Sequence, residues 1–191
     1  MFVDNIRIFA RAGKGGNGLV SFRRAKFVPK GGPDGGDGGD GGSVILEVDP
    51  HTNDLRSFFY DPKLIATDGV GGQSAKKHGK NGKSGIGKVP PGTIIYRSNA
   101  SSMAEATWLE REGEGIELEK IADLTEIGTR FTLCQGGLGG KGNWHFRSAT
   151  NQAPTEAEMG TEGEEGVFFM ELRRIADAGL VGYPNAGKST L

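Results

Sequence analysis

Only one of the 191 residues is cysteine, Cys134, so an internal disulfide is excluded and a reducing compartment fits. Long apolar runs are missing as well: no stretch approaches 18 apolar residues. The N-terminal Met1-Phe2-Val3-Asp4-Asn5-Ile6-Arg7 has neither an apolar h-region nor the pattern of an amphipathic presequence. A cytoplasmic protein without a membrane segment is expected. Convincing amphipathic helices are lacking, with Ser102 to Arg111 the nearest candidate. His51, His78 and His145 are far apart in sequence and have no metal-ligand spacing to Cys134, which speaks against a zinc site. The net charge of −1, taken alone, argues against a nucleic-acid partner.

Glycine is what the chain has in excess, 34 of 191 residues, against an average of about 7%. It collects in patches at 13–18, 31–42, 69–92 and 136–142. Between them lie runs rich in Val, Ile and Phe that read as strands: Phe2 to Ala10, Leu19 to Val28, Ser43 to Val48, Leu55 to Tyr60, Thr93 to Arg97, Arg130 to Cys134 and Val167 to Leu172. Several alternate, as Val44, Leu46 and Val48 do against Ile45 and Glu47, which predicts a mainly β domain. In Gly31-Gly32-Pro33-Asp34-Gly35-Gly36-Asp37-Gly38-Gly39-Asp40-Gly41-Gly42 the aspartates recur every three residues, the period of the polyproline II helix. Such a helix has no internal hydrogen bonds, so a buried one must find partners in others like it. The aspartates then line one edge, either exposed or hydrogen-bonded to neighbouring backbone, and the Gly-Gly pairs let bare backbones approach. They imitate part of a calcium loop's spacing but lack its distal glutamate. Composition by itself would equally describe a flexible linker, but a 24-residue structureless loop inside a compact domain argues against one.

The near-zero net charge conceals segregation. Residues 1–30 carry seven basic side chains, Arg7, Arg11, Lys14, Arg23, Arg24, Lys26 and Lys30, against the single acid Asp4. Lys76, Lys77, Lys80, Lys83 and Lys88 fall in 76–88 without an acid, whereas 155–171 holds six glutamates and no base. Basic loops of this kind suit the phosphates of a large folded RNA, and a solvated charged loop is the plainer alternative. The candidate RNA contacts are Arg23, Arg24, Lys26, Lys30, Lys76, Lys77, Lys80, Lys83 and Lys141, with Lys76 to Lys83 on one projecting loop. Trp144 could stack on bases or fill the interior, Phe146 is assigned to the core, and Glu156 to Glu165 is assigned to a solvated connector.

Near its end the chain carries Gly182-Tyr183-Pro184-Asn185-Ala186-Gly187-Lys188-Ser189, a complete G-x-x-x-x-G-K-S phosphate loop, after the strand-like Ala176 to Val181. In that motif backbone N–H groups wrap the phosphates, the lysine reaches the β- and γ-phosphates, and the Ser189 hydroxyl can ligate Mg²⁺. A closed P-loop fold needs more than about 100 further residues, so this chain by itself is expected not to hydrolyse nucleotide.

Ser21-Phe22-Arg23-Arg24-Ala25-Lys26-Phe27-Val28-Pro29-Lys30 with the following Asp-Gly-Gly repeat, Val89-Pro90-Pro91-Gly92-Thr93, and Gly136-Gly137-Leu138-Gly139-Gly140-Lys141-Gly142-Asn143 with Phe146, Ser148, Asn151 and Pro154 resemble the N-terminal domain of the Obg GTPases. Ala176 to Leu191 resembles the opening of the G domain that follows it in that family. The resemblance implies packed polyproline II helices on a small β-barrel over residues 1–175, then the first strand and phosphate loop of a Ras-like α/β G domain over 176–191, with Arg173-Arg174 near the hinge. It also implies a monomeric GTP-binding and GTP-hydrolysing factor that matures the large ribosomal subunit, with loop tips in ribosomal RNA and links to guanine-nucleotide stress signalling. GTP or GDP would lie on Gly182 to Ser189 with Mg²⁺ on Ser189, and Asn185 would help bind an activating K⁺. Gly85 and Gly87 stand where the family usually has apolar residues, which predicts a weak or displaced strand entering Val89. A rival function from another class is a non-catalytic, glycine-rich module that binds a stress-response regulator protein without touching RNA.

Overall fold

The computed structural model describes residues 3–24, 31–100, 103–106 and 117–173. The strands are β1 (Asn5–Arg11), β2 (Val44–Val48), β3 (Lys63–Ile65), β4 (Gly85–Val89), β5 (Thr93–Ser98), β6 (Leu118–Leu124), β7 (Arg130–Cys134) and β8 (Glu165–Leu172). They form a five-stranded sheet in the order β3-β1-β8-β5-β6 and a three-stranded sheet in the order β4-β2-β7. Both are mixed, because β1 with β3 and β2 with β4 are parallel while the other pairs are antiparallel.

The alternation in the sequence decides which faces meet. Val44, Leu46 and Val48 of β2 are buried, as are Ile8 and Ala10 of β1 and Phe168, Met170 and Leu172 of β8, and all belong to one apolar core shared by the two sheets. β8 reads as a nearly continuous apolar run because it is buried on both faces: Val167 packs with Ala100 and Ala106 in a second, smaller cluster. No helix among the described residues is long and apolar enough to cross a membrane.

One predicted strand is not a strand, and of another, Leu19 to Val28, the described part, 19–24, is not one. Arg56–Tyr60 is a short helix, α1, because Leu55 and Phe58, three residues apart, are the buried positions while Phe59 and Tyr60 are exposed. A strand would have buried Leu55, Ser57 and Phe59 together. In 19–24 there is only an isolated bridge from Phe22 to Pro33, since Leu19 continues the three-residue repeat of the glycine segment before it. Conversely, the strand entering Val89 is fully formed: all five residues of β4 pair with β2 from Val44↔Gly85 to Val48↔Val89. A Cβ at Gly87 would come within 2.9 Å of Leu46, 3.0 Å of Leu64 and 3.1 Å of Phe58, so neighbouring side chains occupy the space the glycine leaves.

The glycine patches form an ordered bundle of six extended segments: I (12–19), II (34–43), III (66–73), IV (76–85), V (135–143) and VI (158–164). Their hydrogen bonds advance in steps of three. Gly13, Gly16 and Leu19 donate to the carbonyls of Gly42, Gly39 and Gly36, and segment II in turn donates from Gly36, Gly39 and Gly42 to Gln73, Val70 and Thr67 of segment III. Gly38 and Gly41 donate to Gly140 and Gly137 of segment V, while Lys76, Gly79, Gly82 and Gly85 donate to the carbonyls of Asp34, Asp37, Asp40 and Ser43. Segment II thus contacts four neighbours and is the axis of the bundle. At the polyproline II rise of 3.1 Å per residue it is about 28 Å long.

Glycine serves space here rather than unusual dihedrals. Among the described glycines only Gly92 and Gly128 have left-handed φ, and both lie outside the bundle. A Cβ on Gly38, by contrast, would collide with the Gly16 carbonyl oxygen.

Candidate functional site

The aspartates of the repeat are structural acceptors. In segment V every backbone N–H from Gln135 to Asn143 has a partner, shared among three kinds of neighbour. Gly137, Gly140 and Asn143 donate to the carbonyls of Gly13, Gly16 and Leu19. Gly136, Gly139 and Gly142 donate to Ser43 Oγ (3.0 Å), Asp40 Oδ1 (2.8 Å) and Asp37 Oδ1 (2.7 Å). Gln135, Leu138 and Lys141 donate to Glu164 Oε2 (2.8 Å), Thr161 Oγ1 (2.7 Å) and Glu158 Oε2 (3.3 Å). The acidic stretch predicted to be a solvated connector is therefore segment VI, integral to the bundle. Its signal in the sequence was the three-residue spacing of Glu158, Thr161 and Glu164.

The bundle ends in a tip where three loops meet around Asp34 and Asp37. Asn143, fully buried, staples it: Oδ1 accepts from the Gly35 N–H (2.9 Å) and Nδ2 donates to the carbonyls of Ser21 and Pro154, both at 3.0 Å. On one side Arg23 and Arg24 are exposed and, with Phe22, Asp34, Ser74 and Ala75, line an open cleft. On the other, Ala75 N–H donates to Asp34 Oδ2 (3.3 Å) and Lys76 N–H to the Asp34 carbonyl (2.7 Å). This turn holds Ala75 and Lys76 at φ 60° and 56°, left-handed values that non-glycine residues adopt at some energetic expense. The third loop is the 3₁₀ turn Asn143–Phe146.

Asp37 joins two of these loops. Its Oδ2 lies 2.8 Å from Nε2 of His145 and 3.6 Å from Nε2 of His78. Burial opposes ionisation of Asp37, but the Gly142 N–H and His145 outweigh it and hold the carboxyl below its ordinary value. The ionised carboxylate only accepts, so Nε2 of His145 carries the donated proton. Sequence spacing gave no sign that these histidines meet, because His78 and His145 are brought together only by the bundle. Among the described residues no group of three His, Cys, Asp or Glu side chains is placed to hold a metal ion. Cys134 is buried, and desolvation pushes its thiol up to about 12, which leaves it no role as a nucleophile at neutral pH.

Of the predicted RNA contacts, Arg23, Arg24, Lys76 and Lys77 gather at the tip. Lys80 and Lys83 do not share a projecting loop with them. Lys77, Lys80 and Lys83 all lie on segment IV, and their carbonyls accept from Gln73, Val70 and Thr67, so they form an exposed row about 19 Å long running back toward the sheets. Lys141 is exposed on segment V, two residues before the Asn143 staple. Phe146, assigned to the core, is half-buried and belongs to neither apolar cluster. Trp144 is half-buried, with the His145 ring 3.9 Å away between centroids and the Lys76 ammonium 4.8 Å above its ring. Lys26, Lys30, Arg174 and the whole Gly182 to Ser189 loop, with the domain boundary before it, lie outside the described residues.

A glycine-rich polyproline bundle seated on two mixed sheets is a specific architecture, and the family comparison agrees with it. The model of the GTP1/OBG family matches residues 3–174. The chain belongs to the GTP1/OBG family. Curated relatives named GTPase Obg match the whole chain: one from Methylacidiphilum infernorum is 50% identical over 193 residues, 53% of its own length, and one from Chlorobium chlorochromatii is 51% identical over 190 residues, 51% of its length. A third, from Clostridioides difficile, is 48% identical over 41% of its length. The chain thus spans about half the length of these family members. Among the motifs that carry the resemblance in the sequence, the Asp-Gly-Gly repeat and Gly136 to Asn143 build the bundle, and Asn143 with Pro154 its staple.

Proposed function

We propose that the glycine bundle is the RNA-docking arm of a GTP-binding and GTP-hydrolysing assembly factor that acts on the large ribosomal subunit. The observation that carries this reading is the convergence of Arg23, Arg24, Lys76, Lys77 and Trp144 at the end of a stiff arm, with the lysine row of segment IV behind them. Ammonium and guanidinium groups attract phosphate without reading sequence, and an arm cross-linked by backbone hydrogen bonds holds them in one arrangement.

In the parent protein Gly182 to Ser189 would bind GTP or GDP: backbone N–H groups cradle the phosphates and Lys188 neutralises the β/γ charge. The Ser189 hydroxyl is a hard oxygen donor of the type Mg²⁺ prefers, and the ion would add positive charge at the phosphates. Asn185 would contribute to a K⁺ site. GTP binding would raise or lower affinity for the subunit and hydrolysis would release the factor, in the cytoplasm and as a monomer. A stress-response regulator would be a further protein partner.

The test is cosedimentation of the chain with purified large ribosomal subunits across a salt series. Charge reversal at Lys76, Lys77, Lys80 and Lys83 should weaken binding at every salt concentration. It should also flatten the slope of log affinity against log salt by about 1 for each phosphate contact removed. Salt-insensitive binding that survives the reversal would instead favour the protein-interaction module.

A further inference from the structure

Trp144 is a large indole left half-buried at the tip, with the His145 ring against it and the Lys76 ammonium 4.8 Å over its ring. The support runs from the bundle outward: the Gly142 N–H fixes Asp37 Oδ1, Asp37 Oδ2 fixes the His145 ring, and that ring leans on the indole at 3.9 Å between centroids, tilted by 35°. The cover is the Lys76 side chain, whose backbone is held in a left-handed turn by Asp34. We propose that Trp144 is a stacking platform for one unpaired nucleobase of a bound RNA, and that Lys76 is the cap the base displaces.

Base stacking on an aromatic ring is stronger than an exposed cation–π contact, and the displaced ammonium gains a phosphate of the same nucleotide as its new partner. Both changes favour the exchange. Arg23, Arg24, Lys77 and His78, exposed around the tip, supply the charge that brings a backbone within reach. Stacking is indifferent to which base is presented but demands one that is not paired, so the platform selects loops, bulges and ends over regular duplex.

This inference rests on the RNA-docking reading, and the experiment separates the two. Affinity for large ribosomal subunits is measured for the chain and its Trp144→Ala, Trp144→Phe and Lys76→Ala variants, with thermal melts to confirm folding. In a Trp108→Phe background, where Trp144 is the remaining tryptophan, fluorescence is titrated with single-stranded oligoadenylate and with a blunt RNA duplex of equal length. Expected are a loss of about 10-fold in subunit affinity for Trp144→Ala, retention within about 3-fold for Trp144→Phe, and quenching by the single strand but not by the duplex. Lys76→Ala should lower the salt slope by about 1 and leave the quenching intact. If subunits bind with unchanged affinity after Trp144→Ala and no quenching occurs, the platform is wrong and RNA docking stands. If no variant binds subunits or RNA at any salt concentration, both fall.

Discussion

In the sheets Ile8, Leu46, Ile95, Phe168 and Met170 are buried and side chains fill the interior, whereas in the bundle the interior is backbone, with glycine carbonyls and amides packed against one another. One half is held by apolar area removed from water, at about 25 cal/mol per Å². The other is held by a lattice of interchain-like hydrogen bonds, each with a net worth of about 1 kcal/mol and expensive to leave unmade once buried. The two halves should therefore fail in opposite ways: the sheets when a side chain becomes smaller, the bundle when one becomes larger.

The largest effect is expected in the sheets. Phe168→Ala removes a side chain that is 2% exposed and should cost about 4 kcal/mol in a denaturant melt. Gly38→Ala, which in most proteins would be mild, should cost about 3 kcal/mol here because its Cβ meets the Gly16 carbonyl and the segments must separate. Gly32→Ala is the matched control: nothing lies within 4 Å of its Cβ, and a change below about 0.5 kcal/mol is expected. If both alanines are equally mild, the bundle is not close-packed. Asn143→Ala falls between them, at about 2 kcal/mol, since it leaves the Gly35 N–H and two carbonyls without their partner.

Acid should weaken the tip through Asp37, whose ionised form holds the Gly142 N–H and His145. Asp37 has a folded-state pKa below the 3.8 of the free side chain, so its contribution is complete above about pH 5 and is lost as pH falls through the folded value. Asp37→Asn should therefore be less stable than the parent near neutrality and lose less on acidification, a difference that melts at pH 6 and pH 3 would reveal.

Periodicity made most of this architecture legible. The alternation of β2 and the run of β8 placed the core, and the phase of Asp34, Asp37 and Asp40 announced segment II and the backbone edge it offers. What the sequence hid were contacts made only in three dimensions. Segment VI looked like an acidic connector because its residues serve segment V, 17 to 29 positions away. The His78–Asp37–His145 junction was invisible for the same reason. Leu55 to Tyr60 misled because Leu, Phe and Tyr suit strands as well as a single helical turn, and only the burial of Leu55 with Phe58 decides between them. Trp144 stayed ambiguous since its surroundings come from the Lys76 turn, far away in the chain.

The most direct test of a rigid glycine arm is amide hydrogen exchange at Gly38, Gly41, Gly137 and Gly140, compared with Ile8 and Phe168 in the sheets. These glycines should be protected to a similar degree as the strands, because each donates into the lattice. Exchange at the rate of an unstructured chain would make the glycine patches linkers and remove the basis for the tip.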